Sequence, residues 1–301
     1  MFSLFVNLFL LLVVVICFIS LLYMLARGPM DAKKEGYTKF SNVQSIPKVI
    51  WTYRSAPQSE KMEEHEKLCI ESWKYHNPSY DVVVLDRENV SSYVDLDIYA
   101  FDQIEDDVRA KDYLRLFLLQ KHGGIWMDST VLCTQPLDWL IDDDDAKDFI
   151  GFYTGSFRNN RFPVIEKWFM ACPADSELMF KVKNEFMRMN DFASVEQYVK
   201  DVKESGVEIQ EIPFPEYLAM HIAFQKILQT SNPYDINILD ARGENGPFFY
   251  LYQNDWDSKK ALDMLCEDDT LKTPLIMLRE DEEVILKEEG IARIKCLQEF
   301  I

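Results

Sequence analysis

"KDYLRLFLLQKHGGIWMDST" (residues 111–130) holds the signals that decide the fold. From Leu114 to Leu119 the run is apolar nearly all round, which suits a helix packed on more than one side. Gly123-Gly124 is a helix stop, because glycine accepts the left-handed backbone that follows a last helical turn. "IWM" (125–127) reads as a short buried strand. Asp128 stands at its C-terminal end, and no helix follows for it to cap. Asp112 and Arg115, three apart, share one helix face. Charged groups on a buried helix must meet something polar, and an open cleft at the end of a sheet supplies that. Asp112, Arg115 and Asp128 are therefore expected to face one ligand.

The flanking segments extend the pattern. "IPKVIW" (46–51) and "YDVVVLD" (80–86) read as strands, with an amphipathic helix between them that stops at Asn77-Pro78. A turn and short helix fill 89–101. Farther on come a strand at 147–153, helices near 163–171, 176–190 and 194–204, a strand at 207–212 and a helix at 215–229. This order implies an α/β fold with a mixed or parallel sheet and helices on both faces. Ligands of such sheets lie beyond the carboxyl ends of the strands, where Asp128 falls.

Residues 4–26 contain no charged side chain. Roughly 20 apolar residues span a bilayer as a helix, and the basic start of a cleaved leader is lacking. The expectation is a transmembrane anchor over 1–26, a linker over 27–45 and one domain over 46–301. Arg27, Lys33 and Lys34 follow the apolar segment and favour a cytoplasmic catalytic domain, with a Golgi or ER lumen as the open alternative. The net charge of -19, from 51 acidic and 32 basic residues, repels polyanions, so no nucleic-acid partner is expected. Cys17 lies in the apolar segment. The other five cysteines are scattered, odd in number and without C-x-x-C. They read as neither a zinc site nor a disulfide framework, and suit a reducing compartment. Acidic clusters at 142–145, 267–269 and 280–283 read as solvated loops.

Three blocks carry a resemblance: "IPKVIWTY...CIESWKYHNPSYDVVVLD", the stretch quoted first, and more weakly "PVIEKWFMACPADSELM" (163–179). In this order they resemble the capsular polysaccharide synthesis type of glycosyltransferase, related to the glycosyltransferase 32 group and the glycosylating-toxin catalytic domains. The resemblance implies a GT-A-type, Rossmann-like mixed sheet and a metal-dependent transfer from a UDP-linked nucleotide sugar to a glycan, polysaccharide or glycolipid, with retention. The implied metal is Mn²⁺ or Mg²⁺. Carried over by position, Trp51 sits against the nucleotide base with Thr52 beside it. Gly124 joins these cofactor contacts. Asp112 and Arg115 bind the donor sugar, Arg115 also nears the diphosphate, and Asp128 opens the metal-binding D-x-D. Here Thr130 stands in place of the second Asp, so Asp128 and Thr130 are the expected metal ligands, with His221, Asp255 or Asp257 as open substitutes. Acceptor specificity is expected within 150–260. Two rival readings remain at this level: a non-catalytic glycan-binding or scaffold protein, and a sugar-nucleotide hydrolase using water as acceptor.

Overall fold

Strand segments of alternating side chains and helices with one apolar stripe build a layered α/β unit. A computed structural model describes residues 44–55, 61–95, 107–141, 147–154, 162–209, 212, 214–215, 217–231, 233–267 and 273–299. The elements run β1 (Val49–Tyr53), α1 (Glu64–His76), β2 (Asp81–Leu85), α2 (Asp107–His122), β3 (Gly124–Met127), β4 (Val131–Cys133), β5 (Phe149–Tyr153) and β6 (Ile165–Cys172). There follow α3 (Glu177–Arg188), α4 (Val195–Glu204), α5 (Ala219–Thr230), β7 (Ile236–Asp240), α6 (Phe249–Tyr252), α7 (Ser258–Glu267), β8 (Leu275–Met277), α8 (Glu280–Glu289) and α9 (Ile291–Gln298).

The main sheet has the order β2-β1-β3-β6-β5-β7, and β4 pairs with β8 in a small second sheet. β1 is parallel to β2 and β3, β6 is antiparallel to β3 and β5, and β7 is parallel to β5. Only β6 is reversed within this sheet. One edge therefore gathers the C-terminal ends of β1, β2, β3, β5 and β7 with the start of β6. Alternation sends Trp51, Tyr53 and Trp126 to the side covered by α2, α3 and α5. It sends Ile50, Ile125 and Met127 to the side of α1, β4 and β8.

The paired glycines are required by space as well as by backbone. Gly123 has φ +62 and Gly124 φ +88, the left-handed region. A Cβ on Gly123 would stand 2.3 Å from the Ala174 nitrogen, and one on Gly124 2.5 Å from Val49 Cγ1. The helix can thus turn into β3 at once, which carries Asp128 back to the height of Arg115.

Several expectations change. The segment expected as a helix at 163–171 is β6, in the centre of the sheet. A strand covered on both faces reads as a continuous apolar run, which periodicity alone does not distinguish from a buried helix. Among the described residues of 207–212 there is no strand; Val207, Ile209 and Ile212 pack against the helical layer, and β7 takes the sheet edge. The acidic run at 280–283 is the first turn of α8 rather than a loop, where carboxylates suit the helix N-terminus, and Glu282 is fully buried against Arg279. The anchor expected at 4–26 lies outside the described residues. Among the described residues, no helix is long and apolar enough to cross a membrane.

The cysteine reading is also corrected. Cys266 in α7 and Cys296 in α9 form a disulfide with Cα atoms 5.4 Å apart, while Cys69, Cys133 and Cys172 are buried thiols. The two partners are 30 residues apart, so no short motif marks them. Closing a loop of that length stabilises by about 3–4 kcal/mol in the chain-entropy account. Cys266→Ser is therefore expected to lower the unfolding free energy by a corresponding amount, read as a lower denaturant midpoint. A midpoint indifferent to both this substitution and reductant would contradict the pairing.

Candidate functional site

The site is built where α2 crosses the ligand edge of the sheet. Trp126 and Asp128 point to the same side of β3. The Trp126 indole donates to Asp128 Oδ1 at 2.7 Å. Its ring also carries the Arg115 guanidinium, 4.9 Å from the ring centroid. Arg115 is 1% exposed. One end of its fork donates to Asp112 Oδ1 and the other to Asp128 Oδ1, the latter at 3.1 Å. The three residues expected to converge do so, and Arg115 is the link between the two carboxylates.

A fourth charged group joins them. The Asp128 N–H donates to the Trp168 carbonyl at 2.9 Å, which fastens the end of β3 to the middle of β6. Lys167 is thereby placed with Nζ 3.3 and 3.4 Å from the two Asp112 oxygens. Burial pushes the Asp112 carboxyl up, against the opposing pull of Arg115 and Lys167. Burial likewise pushes the Lys167 ammonium down, with Asp112 holding it up. His221 in α5 completes the surroundings. Burial, with Lys167 and Arg115 nearby, lowers its imidazole to about 3, so it is neutral at physiological pH, and its Nδ1 is buried without a hydrogen-bond partner. A neutral imidazole can sit beside two cations where a charged one could not.

The donor set can be tested for a metal. Asp128 Oδ1 takes both the Arg115 and Trp126 donors, which leaves Oδ2 of a side chain 27% exposed. The Ser129 hydroxyl donates to Glu66, which in turn lies 3.6 Å from Arg54. The Thr130 hydroxyl is turned toward Met277 Sδ at 3.8 Å. Asp257 accepts from the Lys260 backbone N–H in the first turn of α7. Among the described residues, no group of three His, Cys, Asp or Glu side chains could hold a metal ion. The residues present do not suit an ion held by protein groups alone. They do suit one that arrives on a diphosphate and takes a single carboxylate oxygen, with phosphate oxygens and waters completing its shell.

The remaining expected contacts lie on β1 and at the start of β3. Trp51 is 4% exposed; its indole donates to the Gly123 carbonyl at 2.9 Å and its ring packs against Tyr93 and His122. Thr52 is fully buried, and its side chain alternates to the other face of β1. Gly124 opens β3, at the opposite end from Asp128. Trp51 is the register neighbour of Trp126, whose ring carries Arg115.

Lys167 was missed by sequence reasoning because its segment was read as a helix. The available signal was the Glu166-Lys167 pair interrupting an otherwise apolar run. In a buried strand, two adjacent charges mark the edge of the sheet rather than its middle.

A family model described as capsular polysaccharide synthesis protein matches residues 32–268. Inositol phosphoceramide mannosyltransferase 3 of Schizosaccharomyces pombe (strain 972 / ATCC 24843) is 29% identical over 102 residues, covering 32% of this chain and 28% of that protein. The match thus spans less than a third of the relative's length. Among solved structures, a glycosyltransferase involved in glycosylation of the major capsid of PBCV-1 is 10% identical with a TM-score of 0.42, covering 84% of this chain and 98% of that one. The glycosyltransferase GlyE of Streptococcus pneumoniae TIGR4 is 9% identical with a TM-score of 0.41, covering 85% of this chain and 63% of that one.

Proposed function

The chain belongs to the capsular polysaccharide synthesis protein family, and from that premise we propose that it is a glycosyltransferase moving a sugar from a nucleotide-sugar donor to a glycan, polysaccharide or glycolipid acceptor. The observation that carries this reading is the pair of carboxylates, Asp112 and Asp128, joined by one buried guanidinium at the sheet's ligand edge, with Lys167 beside them.

Each group has a role that its surroundings suit. Asp112 and the outer oxygen of Asp128 accept hydrogen bonds from hydroxyls of the donor sugar and fix the anomeric carbon in place. Arg115 acts through them: both ends of its fork hold carboxylates, so it is a positioning residue. Lys167 is the partly exposed cation of the cluster, 18% accessible, and meets the diphosphate as its leaving oxygens gain charge. A divalent ion, Mn²⁺ or Mg²⁺, arriving with the diphosphate and held by Asp128, would supply further neutralisation of that leaving group.

In the transfer, the acceptor oxygen bonds to the anomeric carbon as the bond from that carbon to the diphosphate breaks. The electron pair leaves on the diphosphate, and the acceptor's proton passes to a diphosphate oxygen. Both carboxylates are tied to Arg115, so neither is placed as a free nucleophile. Attack from the leaving-group face, with retained configuration, suits that arrangement. The Cys266–Cys296 disulfide favours an oxidising compartment for the folded domain, hence a lumenal rather than a cytoplasmic catalytic side.

The test is turnover of a donor panel, UDP-linked sugars and GDP-mannose, with and without candidate acceptors. Mannose belongs in it because the fungal relative is a mannosyltransferase by name. Sugar incorporated into an acceptor supports the reading. Release of free sugar alone, unaffected by any acceptor, would favour a hydrolase, and no turnover with retained glycan binding would favour a binding protein.

A further inference from the structure

An open cleft of about 290 Å³ adjoins the carboxylate cluster, with Asp112 in its lining. The other lining residues are Arg109 from the start of α2, Phe186 from α3, Val195 and Glu196 from the start of α4, and Tyr217 and Ala219 where α5 begins. Tyr217 is 56% exposed. Its ring lies 5.8 Å from Lys167 Nζ, and Lys167 in turn contacts Asp112. The cleft therefore adjoins the cluster through Asp112, which belongs to both, and through Tyr217, whose ring faces Lys167.

The chemistry of the lining is mixed in a particular way. Two carboxylates and one guanidinium offer acceptors and donors to hydroxyl groups. Phe186, Val195, Ala219 and the Tyr217 ring offer apolar surface. Tyr217 is exposed and lines the cleft together with Asp112 and Arg109. A pyranose has matching faces: axial C–H groups on one side that pack against an aromatic ring, and hydroxyls around its rim. The volume is just below the roughly 300–1,000 Å³ of small-ligand pockets, which suits one sugar residue rather than an extended chain.

We propose that this cleft is the acceptor subsite, that it takes the terminal neutral sugar of the acceptor, and that Tyr217 is the ring on which that sugar stacks. The proposal rests on the transferase reading, because it is the position of the cleft beside Asp112 that makes its occupant an acceptor. The stacked sugar then presents a hydroxyl on the Asp112–Lys167 side, toward the donor's anomeric carbon. Sequence gave no motif for this because Arg109, Phe186, Glu196 and Tyr217 come from four separate elements.

The test is saturation-transfer NMR with methyl α-D-mannoside, methyl α-D-glucoside and methyl β-D-galactoside as probes, on wild type, Tyr217→Ala and Tyr217→Trp. Wild type is expected to bind at least one glycoside. Tyr217→Ala should weaken that binding about 10-fold, the loss of roughly 1.4 kcal/mol, and Tyr217→Trp should retain it because a ring remains. Wild type binding none of the three, Tyr217→Ala binding like wild type, or Tyr217→Trp losing as much as Tyr217→Ala would each overturn the proposal. A parallel titration with UDP and GDP separates the two readings. Glycoside binding without nucleotide binding removes the donor site and leaves a sugar site, whereas nucleotide binding without glycoside binding removes the cleft alone.

Discussion

Arg115→Lys is expected to lower kcat/KM for the donor about 100-fold although the positive charge is kept. That factor corresponds to roughly 2.7 kcal/mol of lost transition-state stabilisation. The guanidinium does three things at once: it reaches Asp112 with one end, reaches Asp128 with the other, and lies over the Trp126 ring. A planar fork can do this and a single ammonium cannot. Lysine would hold one carboxylate and release the other. The released group, buried or half-buried, would move away from its like-charged neighbour or take a proton, and the spacing of the two carboxylates would be lost. The effect should fall on donor KM as well as on kcat, since in the proposed function the same carboxylates bind the ground-state sugar. Steady-state kinetics across the donor panel decide it. If Arg115→Lys turns over at the parent rate, the pair is an ordinary ion pair along a helix and carries no function.

Why this cluster was largely readable, and its neighbours not, has a physical reason. Asp112, Arg115 and Asp128 lie within one helix–glycine–strand unit, where spacing along the chain fixes spacing in space. Helical periodicity puts Asp112 and Arg115 on one face, and the Gly123-Gly124 turn returns Asp128 toward them. Lys167 comes from a distant strand whose apolar run resembles a helix, so both the element and its contribution were hidden. The Thr130 hydroxyl faces Met277 because β4 pairs with β8 from near the chain's end; nothing local to D-x-T reveals that pairing. The Cys266–Cys296 bridge and the Tyr217 cleft likewise depend on long-range packing. The Trp51 indole N–H is engaged by the Gly123 carbonyl, a contact across 72 residues that local sequence does not reveal.

The second large effect is expected at Asp128. Asp128→Ala would remove the acceptor of both Arg115 and Trp126, and a buried donor left unpaired costs about 1–3 kcal/mol. Asp128→Asn is the sharper variant, because an amide oxygen can still accept both bonds while the charge and the second carboxylate oxygen are lost. The fold should therefore survive, with little change in melting temperature. Donor affinity should not survive, since the outer oxygen is the one the site leaves for a sugar hydroxyl or for an ion on the diphosphate.

Calorimetric titration of UDP and GDP, with and without Mn²⁺, into wild type and Asp128→Asn tests the shared site most directly. Wild type is expected to bind at least one nucleotide more tightly with Mn²⁺, and Asp128→Asn to bind it about 100-fold more weakly in Mn²⁺, a difference of roughly 2.7 kcal/mol, with no gain from the metal. Equal binding by the two proteins, with the same response to Mn²⁺, would contradict a donor site at Asp112, Arg115 and Asp128.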